Sequence, residues 1–267
     1  MASFYLMGNS TRCQMFGCVI MTKNCTVVID GGTCWDSEQL VELLKEKSRS
    51  HVDAWFFTHP HHDHIGCFID IMKNHPSITV GALYYRFPDL TNPVQASLAR
   101  GEHEAELWQY IPQWKNKYET HEIEAGESFD FDEVRIRVLR VFNPELIGIN
   151  GSSAVYRIEG ERHSVLILGD LDGASGYDTL NKCPLELLQT DYTQMSHHGQ
   201  NGVSREFYEY IKPKRCIWPA PDWLWNNDEG EGFDTGPYQT VRTREWMAEL
   251  GVTEHFVEAD GMQEIEI

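Results

Sequence analysis

The chain has 267 residues, of which 41% are hydrophobic and 24% are charged, a balance that is typical of a globular protein with a packed core. The formal net charge is −19. A surface of this sign repels polyanions at long range, so we expect no nucleic acid as a bulk partner.

Cysteine usage and the N-terminal residues indicate the cellular compartment. The seven cysteines are an odd number and no two of them form a C-x-x-C pair, which favours free thiols in a reducing compartment. Residues 1–7 lack the basic start and long apolar stretch of a signal peptide. No apolar run approaches the roughly 20 residues needed to cross a bilayer. The sequence therefore predicts a cytoplasmic protein without membrane insertion.

The first half of the chain alternates predicted strands and helices. The β-branched run that ends at Asp30 is typical of a buried strand stopped by glycines. Pro112 is expected to kink or interrupt the last helix of this half. Strands are predicted at 4–7, 14–21, 25–30, 52–57 and 78–80, and helices after Asp36 or Ser37, at 65–74 and over most of 93–118.

The second half repeats the alternation. Two such halves predict an α/β protein whose sheets are covered by helices on their outer faces. No composition shift marks a linker, so residues 1–267 are expected to form one domain. Strands are predicted at 134–141, 154–158, 164–168, 192–196, 216–218, 254–257 and 264–267, and helices at 184–188, after Ser204 and at 240–250.

A histidine-rich segment directly follows the predicted strand 52–57. Four histidines and one aspartate lie within the six residues from His59 to His64. In a turn, His59 and His61 can point the same way, while Asp63 and His64 turn toward a second position. Imidazole and carboxylate groups are ligands for Zn²⁺, Fe and Mn²⁺. The alternative is a His-rich surface loop, which this number and spacing of ligand-type residues disfavours.

The segment 58–64, Thr-His-Pro-His-His-Asp-His, resembles the T-H-x-H-x-D-H signature of the metallo-β-lactamase superfamily. Other parts of the pattern recur in order, namely Asp30 after an early strand, Asp170 after a later one, and a histidine at 197–198 after a still later one. The resemblance spans nearly the whole chain. It implies an αββα sandwich, in which two mixed sheets are flanked by helices and the site lies at the sheet edges.

The resemblance also implies a binuclear metal centre with two divalent ions, zinc being expected and iron or manganese the alternatives. Asp30 would orient a ligand histidine from behind. The expected ligand roles are that His59 and His61 bind one metal, Asp63 and His64 bind the second, Asp170 bridges the two, and His197 or His198 completes the second site.

Two of these ligand assignments have alternatives. Asp170 follows an apolar run and precedes Leu171, Asp172 and Gly173, so it could be an ordinary turn aspartate, and Asp172 could be the ligand instead. For the pair 197–198, the strand register does not decide which of the two histidines is the metal ligand. We favour His197 because it is nearer the end of the strand.

One departure from the superfamily pattern bears on the substrate. Many members, including the β-lactamases and the glyoxalases, carry another metal-binding histidine between the first motif and the bridging aspartate, and the corresponding stretch 142–154 has none. The chain more closely resembles a subgroup that contains the hydrolase domain of competence proteins and the phosphorylcholine esterases. Three features carry this resemblance: an Asn-x-Ser stretch, Gly169-Asp170 and the later 196–199 segment. Those relatives act on phosphodiesters. Here the first metal could be held by two histidines and Asp170 plus water, bind weakly, or be lost on purification.

The resemblance therefore predicts a metal-dependent hydrolase of a phosphodiester or related phosphate ester, with a small-molecule or headgroup-type substrate. Two cations would lower the pKa of a bridging water from about 15.7 toward 7, so that a metal-bound hydroxide attacks the substrate. Asp63 is expected to be essential for turnover. Asn150 or Ser153 would donate a hydrogen bond to the substrate.

Two other functions are alternatives. A lactone, lactam or thioester hydrolase would use the same fold, but the missing histidine argues against it. A non-hydrolytic di-iron or metal-binding protein is the second alternative. Diiron relatives usually place a glutamate at the position of His61, so the histidine here favours hydrolysis. The sequence predicts no oligomeric state.

The acidic and aromatic segment 219–230 has two interpretations. It could floor or cover a pocket for a cationic headgroup such as choline. We favour the other interpretation, in which Trp223 and Trp225 anchor the loop to the core and the acidic residues face solvent.

Overall fold

The computed structural model describes residues 1–9, 11–89, 111–146 and 148–267. Most of the helix predicted at 93–118 lies outside the described residues. The strands are β1 (Ser3–Leu6), β2 (Gly17–Met21), β3 (Thr26–Asp30), β4 (His51–Phe56), β5 (Thr79–Tyr85), β6 (Glu119–Glu122), β7 (Ser128–Phe131), β8 (Val134–Arg140), β9 (Val155–Glu159), β10 (Ser164–Ile167), β11 (Tyr192–Gln194), β12 (Arg215–Trp218), β13 (His255–Val257) and β14 (Gln263–Glu266). The α-helices are α1 (Ser37–Glu46), α2 (His62–Asn74), α3 (Ile111–Lys117), α4 (Gly173–Lys182), α5 (Leu185–Leu188), α6 (Arg205–Ile211), α7 (Asp222–Trp225) and α8 (Thr240–Glu249).

The strands form two mixed sheets of seven strands each. The strand order is β14-β1-β2-β3-β4-β5-β6 in one sheet and β13-β12-β11-β10-β9-β8-β7 in the other. In the first sheet β3 to β6 run parallel, and in the second β10 to β13 do. Antiparallel pairs complete each sheet on its other side.

Apolar side chains from both sheets meet in a shared inner layer. Phe4 and Phe56 of the first sheet pack in one cluster with Ile136, Tyr156 and Ile217 of the second, and all are buried. Burial of each large apolar side chain contributes about 1.5–3 kcal/mol, so this layer is the main force that holds the two sheets together.

Helices cover the outer face of each sheet. Leu40 of α1 and Phe68 of α2 pack with Trp55 on one side. Phe207 of α6 packs with Trp218 on the other side. The order of layers is therefore helix, sheet, sheet, helix, and the predicted αββα sandwich is confirmed.

Parallel strands bring the ends of distant segments to one edge of each sheet. The histidine-rich segment follows β4, and Asp30 is the last residue of the neighbouring β3. In the other sheet, the segments that carry Asp170 and His198 follow the adjacent parallel strands β10 and β11. The predicted site residues thus collect where these strands end.

Two further sequence predictions concern cysteines and helices. All seven cysteines are free, as their odd number and spacing predicted. Within the described ranges, no helix has the length and apolar character that crossing a membrane requires.

Asp191 ties together the starts of three strands. Its Oδ2 accepts hydrogen bonds from the backbone N and Oγ of Ser164 at 3.0 and 3.2 Å, and its Oδ1 accepts one from Lys214 Nζ at 2.9 Å. Ser164 opens β10, Lys214 precedes β12, and Asp191 itself precedes β11. Burial raises the pKa of Asp191, but Lys214 and Ser164 lower it more, to about 2.

We predict that Asp191→Asn lowers the free energy of unfolding by about 1–2 kcal/mol at neutral pH. Because the folded pKa lies below the unfolded one, this contribution is complete above about pH 4 and is lost as the pH falls toward 2. Urea unfolding at several pH values measures it. Asp260→Asn, at an exposed aspartate, is the matched control. A loss of stability that stays constant from pH 7 to pH 2 would contradict the role of the Asp191 charge.

Candidate metal centre

A buried aspartate at the end of β3 forms the floor of the site. Asp30 has a φ of 56° and is fully buried. Its Oδ1 accepts a hydrogen bond from the Thr58 backbone N at 2.8 Å, and its Oδ2 accepts one from Thr58 Oγ1 at 2.7 Å. The same Oδ2 lies 2.8 Å from Nδ1 of His64. Nδ1 therefore donates to Asp30, and Nε2 is left to face the site, which is the geometry that an orienting carboxylate provides.

Helix α2 starts earlier than the sequence predicts, and this places two of the candidate ligands. His61 is extended, with φ −71° and ψ 150°, and its carbonyl accepts hydrogen bonds from the backbone N of His64 and Ile65. Asp63 and His64 therefore stand in the first helical turn rather than in a loop before Ile65. In a helix, neighbouring residues point about 100° apart, so these two side chains can approach the site from different directions.

Two groups of candidate ligand atoms meet at one shared carboxylate. Within each group the ligand atoms lie within 4.8 Å of one another, and Asp170 belongs to both. The groups are His59, His61 and Asp170, and Asp63, His64, Asp170 and His198.

The ring nitrogens of the site are directed at carboxylate oxygens. His64 Nε2 lies 3.3 Å from Asp170 Oδ1, and His59 Nε2 lies 3.7 Å from Asp170 Oδ2. His198 Nε2 lies 3.4 Å from Asp170 Oδ2 and 3.2 Å from Asp63 Oδ2.

Several of these buried atoms have no hydrogen-bond partner within the described part of the chain. They are His64 Nε2, His198 Nε2 and Asp170 Oδ1. Buried polar atoms are normally hydrogen-bonded, and nitrogen and oxygen atoms that converge without satisfying one another are what a metal ion needs. The residues present therefore fit a centre for two metal ions.

The histidines of the site differ in the direction in which their surroundings shift the pKa of the ring. Burial, and next the neighbouring His64, hold the pKa of His59 well below its ordinary value, so its ring is neutral and ready to bind a metal. Burial also lowers the pKa of His198, but Asp170 and Asp63 raise it more, to about 10. The pKa of His64 is likewise raised well above its ordinary value, with Asp170 outweighing burial. A metal must displace the protons that these two rings hold.

The structure reverses our preference for His197 over His198. Both residues have left-handed backbone conformations, with φ of 52° and 57°, so the chain turns after β11 instead of continuing as a strand. His198 is fully buried, its Nδ1 lies 2.8 Å from the carbonyl of Pro219, and its Nε2 faces the site. His197 instead contacts Asn150, with 3.2 Å between His197 Nε2 and Asn150 Nδ2.

The turn after β10 separates the two aspartates that the sequence left as alternatives. Asp172 caps α4, where its Oδ1 accepts a hydrogen bond from the backbone N of Ser175 at 2.8 Å. Asp170 faces the site instead. Ser153, for which we predicted a substrate contact, is fully buried, and its Oγ accepts a hydrogen bond from the backbone N of Asp170 at 3.0 Å, which favours a role in holding the Asp170 loop.

Sequence reasoning missed Arg140, which fixes the turn that carries Asn150. Arg140 is buried, and its Nη1 and Nη2 donate to the carbonyls of Ser153 and Gly151 at 2.6 and 2.8 Å. Asp178 Oδ2 lies 3.6 Å from its Nε. From sequence alone, an arginine at the end of a strand is expected to lie at the surface, so this contact is seen only in the folded structure.

A glutamine pair behind Asp63 was also missed. Gln14 Nε2 lies 3.5 Å from Asp63 Oδ2, and Gln14 Oε1 accepts a hydrogen bond from Gln200 Nε2 at 2.9 Å. The Asp63 carbonyl accepts a hydrogen bond from the backbone N of Phe16. The segment before β2 therefore holds Asp63 from both its backbone and its side chain.

Glu258, which follows β13, was missed as well. It is fully buried, and neither carboxyl oxygen finds a hydrogen-bond partner in the described ranges. Burial raises the pKa of Glu258 well above its ordinary value, against an opposing effect of His198. Burial therefore favours the uncharged form of this carboxyl group.

Trp225 anchors the 219–230 segment to the core, and Trp223 ties the segment to the loop at Arg12. The ring of Trp225 packs against Trp218 with 5.1 Å between centroids, and the guanidinium of Arg244 lies 3.9 Å from the Trp225 ring. Trp223 Nε1 donates to the carbonyl of Arg12 at 2.7 Å. These contacts support the interpretation that we favoured for this loop.

Comparison with known proteins gives a family match. The family model described as "Metallo-beta-lactamase superfamily" matches residues 18–217. The chain is 24% identical over 181 residues to ComE operon protein 3 of Bacillus subtilis (strain 168). That match covers 67% of this chain and 21% of the relative, so the chain spans about a fifth of the length of that protein.

Three solved structures share the fold. The metallo-beta-lactamase fold protein YhfI from Bacillus subtilis has a TM-score of 0.58 at 13% identity, with 99% of each chain covered. A diphosphatase from the PhnP family has a TM-score of 0.54 at 16% identity, with 100% of this chain and 98% of that chain covered. CmlA, a diiron β-hydroxylase from Streptomyces venezuelae, has a TM-score of 0.55 at 12% identity, with 100% of this chain and 54% of that chain covered.

We predict that divalent zinc raises the Tm of chelator-treated protein by several degrees, since a ligand at 100 times its Kd stabilises the folded state by about 2.7 kcal/mol. Asp170→Asn replaces the carboxylate shared by both groups with a neutral amide and should remove most of the increase in Tm. His121→Ala, at a more exposed histidine stacked on Tyr84, is the control and should keep it. Thermal unfolding with and without zinc measures both. An undiminished shift in Asp170→Asn would contradict a metal centre at this carboxylate.

Proposed function

We propose that this chain, which belongs to the metallo-β-lactamase superfamily, is a metal-dependent hydrolase that acts on a phosphodiester or a related phosphate ester. The observation that carries the proposal is the pair of ligand groups that share Asp170. Similarity to ComE operon protein 3 and to a diphosphatase from the PhnP family supports it. The substrate is proposed to be a small molecule or a headgroup-type ester.

The proposed ligands divide between two positions. His59, His61 and Asp170 would hold the first metal, and Asp63, His64 and His198 would hold the second together with the same Asp170. When bound, the two divalent ions would supply an activated water molecule and charge compensation for the phosphoryl oxygens. Zinc is the proposed metal, with iron or manganese as alternatives.

The chain's own residues hold this ligand set in place before any substrate arrives. Asp30 fixes the ring of His64, and the Pro219 carbonyl fixes the ring of His198. Gln14 and the Phe16 backbone hold Asp63. Preorganised ligands lose little conformational entropy on binding, which favours a single geometry of the centre.

A phosphate ester suits this site because its anionic oxygens need compensation inside a chain of net charge −19. Bound divalent ions reverse the local sign and allow an anionic substrate to approach. A lactone or thioester brings no such charge. The diiron function is the second candidate because CmlA shares the fold, but the four histidines of the site suit hydrolysis. We also propose a cytoplasmic location, which the seven free cysteines support.

We predict that metal-replete protein hydrolyses bis-p-nitrophenyl phosphate, and that His61→Ala and Asp63→Ala each lower kcat/KM at least 100-fold, about 2.7 kcal/mol of transition-state stabilisation. Each variant removes one candidate ligand and leaves the apolar layers untouched, so circular dichroism should show unchanged folding. His121→Ala is the matched control and should retain full activity.

A parallel panel of lactones and thioesters, with oxygen consumption and elemental analysis, tests the alternatives. Full phosphodiesterase activity of both variants with their metal still bound would contradict the proposal. Turnover of lactones alone, or oxygen consumption by bound iron, would replace it with the corresponding alternative.

A further inference from the structure

The two metal positions differ in the number of protein ligands around them. The second has four candidates, whereas the first has His59, His61 and Asp170. Zinc sites in proteins use four protein ligands when structural and three plus a water when catalytic, and Mn²⁺ takes more donors, including neutral oxygens. The turn Asn150–Ser152 is therefore the candidate source of a further ligand for the first position.

This turn is tied to both loops that carry the first three ligands. The backbone N of Ala154 donates to the carbonyl of Thr58, the residue before His59. Ser153 Oγ accepts a hydrogen bond from the backbone N of Asp170 at 3.0 Å. Arg140 donates to the carbonyl of Gly151, inside the turn, and to that of Ser153, directly after it. These contacts tie the turn that begins at Asn150 to the loops that carry His59 and Asp170.

The side chain of Asn150 has one satisfied end and one free end. Its Nδ2 lies 3.2 Å from His197 Nε2, so the amide donates to that ring. Its Oδ1 is buried and finds no hydrogen-bond partner among residues that the structure describes. A buried acceptor without a partner is destabilising, and a metal ion would satisfy this one.

We propose that Oδ1 of Asn150 is the fourth protein ligand of the first metal position, and that His197 orients the amide by accepting a hydrogen bond from Nδ2. The inference rests on the metal centre of the proposed function and goes beyond it. An amide oxygen is a neutral and harder donor than an imidazole nitrogen. The first position therefore binds zinc less tightly than a three-histidine site would and accepts Mn²⁺ more readily.

Metal binding without turnover tests this ligand. Equilibrium dialysis of chelator-treated protein against Mn²⁺ or Zn²⁺, followed by elemental analysis, gives the number of ions per chain and their affinities. The wild type should bind two ions. Asn150→Ala should bind the weaker ion at least 10-fold less tightly, Asn150→Asp should keep it, and Asn150→His should bind Zn²⁺ more tightly than the wild type.

Asn143→Ala is the matched control, since Asn143 lies on the same connection but its side chain contacts Asp178 and the backbone of Glu145. It should bind both ions as the wild type does. Unchanged affinities in Asn150→Ala, or one ion per chain in the wild type, would overturn the inference. So would an Asn150→Asp variant that binds metal as poorly as Asn150→Ala. Failure of the proposed function shows separately, as absent phosphodiester hydrolysis with the expected metal affinities.

Discussion

The Asp170 carboxylate is the group on which the rest of the site depends, because both candidate metal positions are built around it. A carboxylate with 1% exposure costs several kcal/mol unless it is paired. The Nε2 atoms of His64 and His198 lie 3.3 and 3.4 Å from its oxygens and supply that pairing. The same arrangement that makes the buried charges tolerable therefore aims their ligand atoms at common points.

The buried position of this carboxylate depends on the close approach of three loops. Gly169 has a φ of 55°, and a Cβ there would lie 2.8 Å from Ser153 Oγ and 2.9 Å from the Thr58 Cβ. The Gly169 carbonyl also accepts a hydrogen bond from the backbone N of His197. Only glycine suits both the left-handed conformation and the available space. The loop from the second sheet can therefore touch the loops on either side of it.

Local patterns in the sequence were enough to predict the alternation of elements and sheets covered by helices. The resemblance to the superfamily added the αββα sandwich and the grouping of the histidine-rich segment with Asp170. They failed where the answer depends on tertiary contacts. The choice of His198 depends on two left-handed residues in succession, and the contacts of Gln14 and Arg140 join segments that are distant in sequence. The polar edge strand β6 and the Gly- and Ser-rich helix α4 were missed because they lack an apolar periodicity, and the edge strand β7 was missed because its alternation spans only four residues.

Charge balance gives a reason for a neutral residue at position 150. Two divalent ions would bring four positive charges, and the ligand carboxylates Asp63 and Asp170 would offset two of them. A third carboxylate at the first position would strengthen metal binding but would cancel much of the remaining positive potential. In a chain of net charge −19, that potential would attract the anionic phosphodiester that we propose as substrate. An asparagine supplies the oxygen without the charge. Compared with the histidine that many superfamily members carry in this stretch, Asn150 would lower the affinity for zinc and leave the positive potential that attracts the proposed substrate.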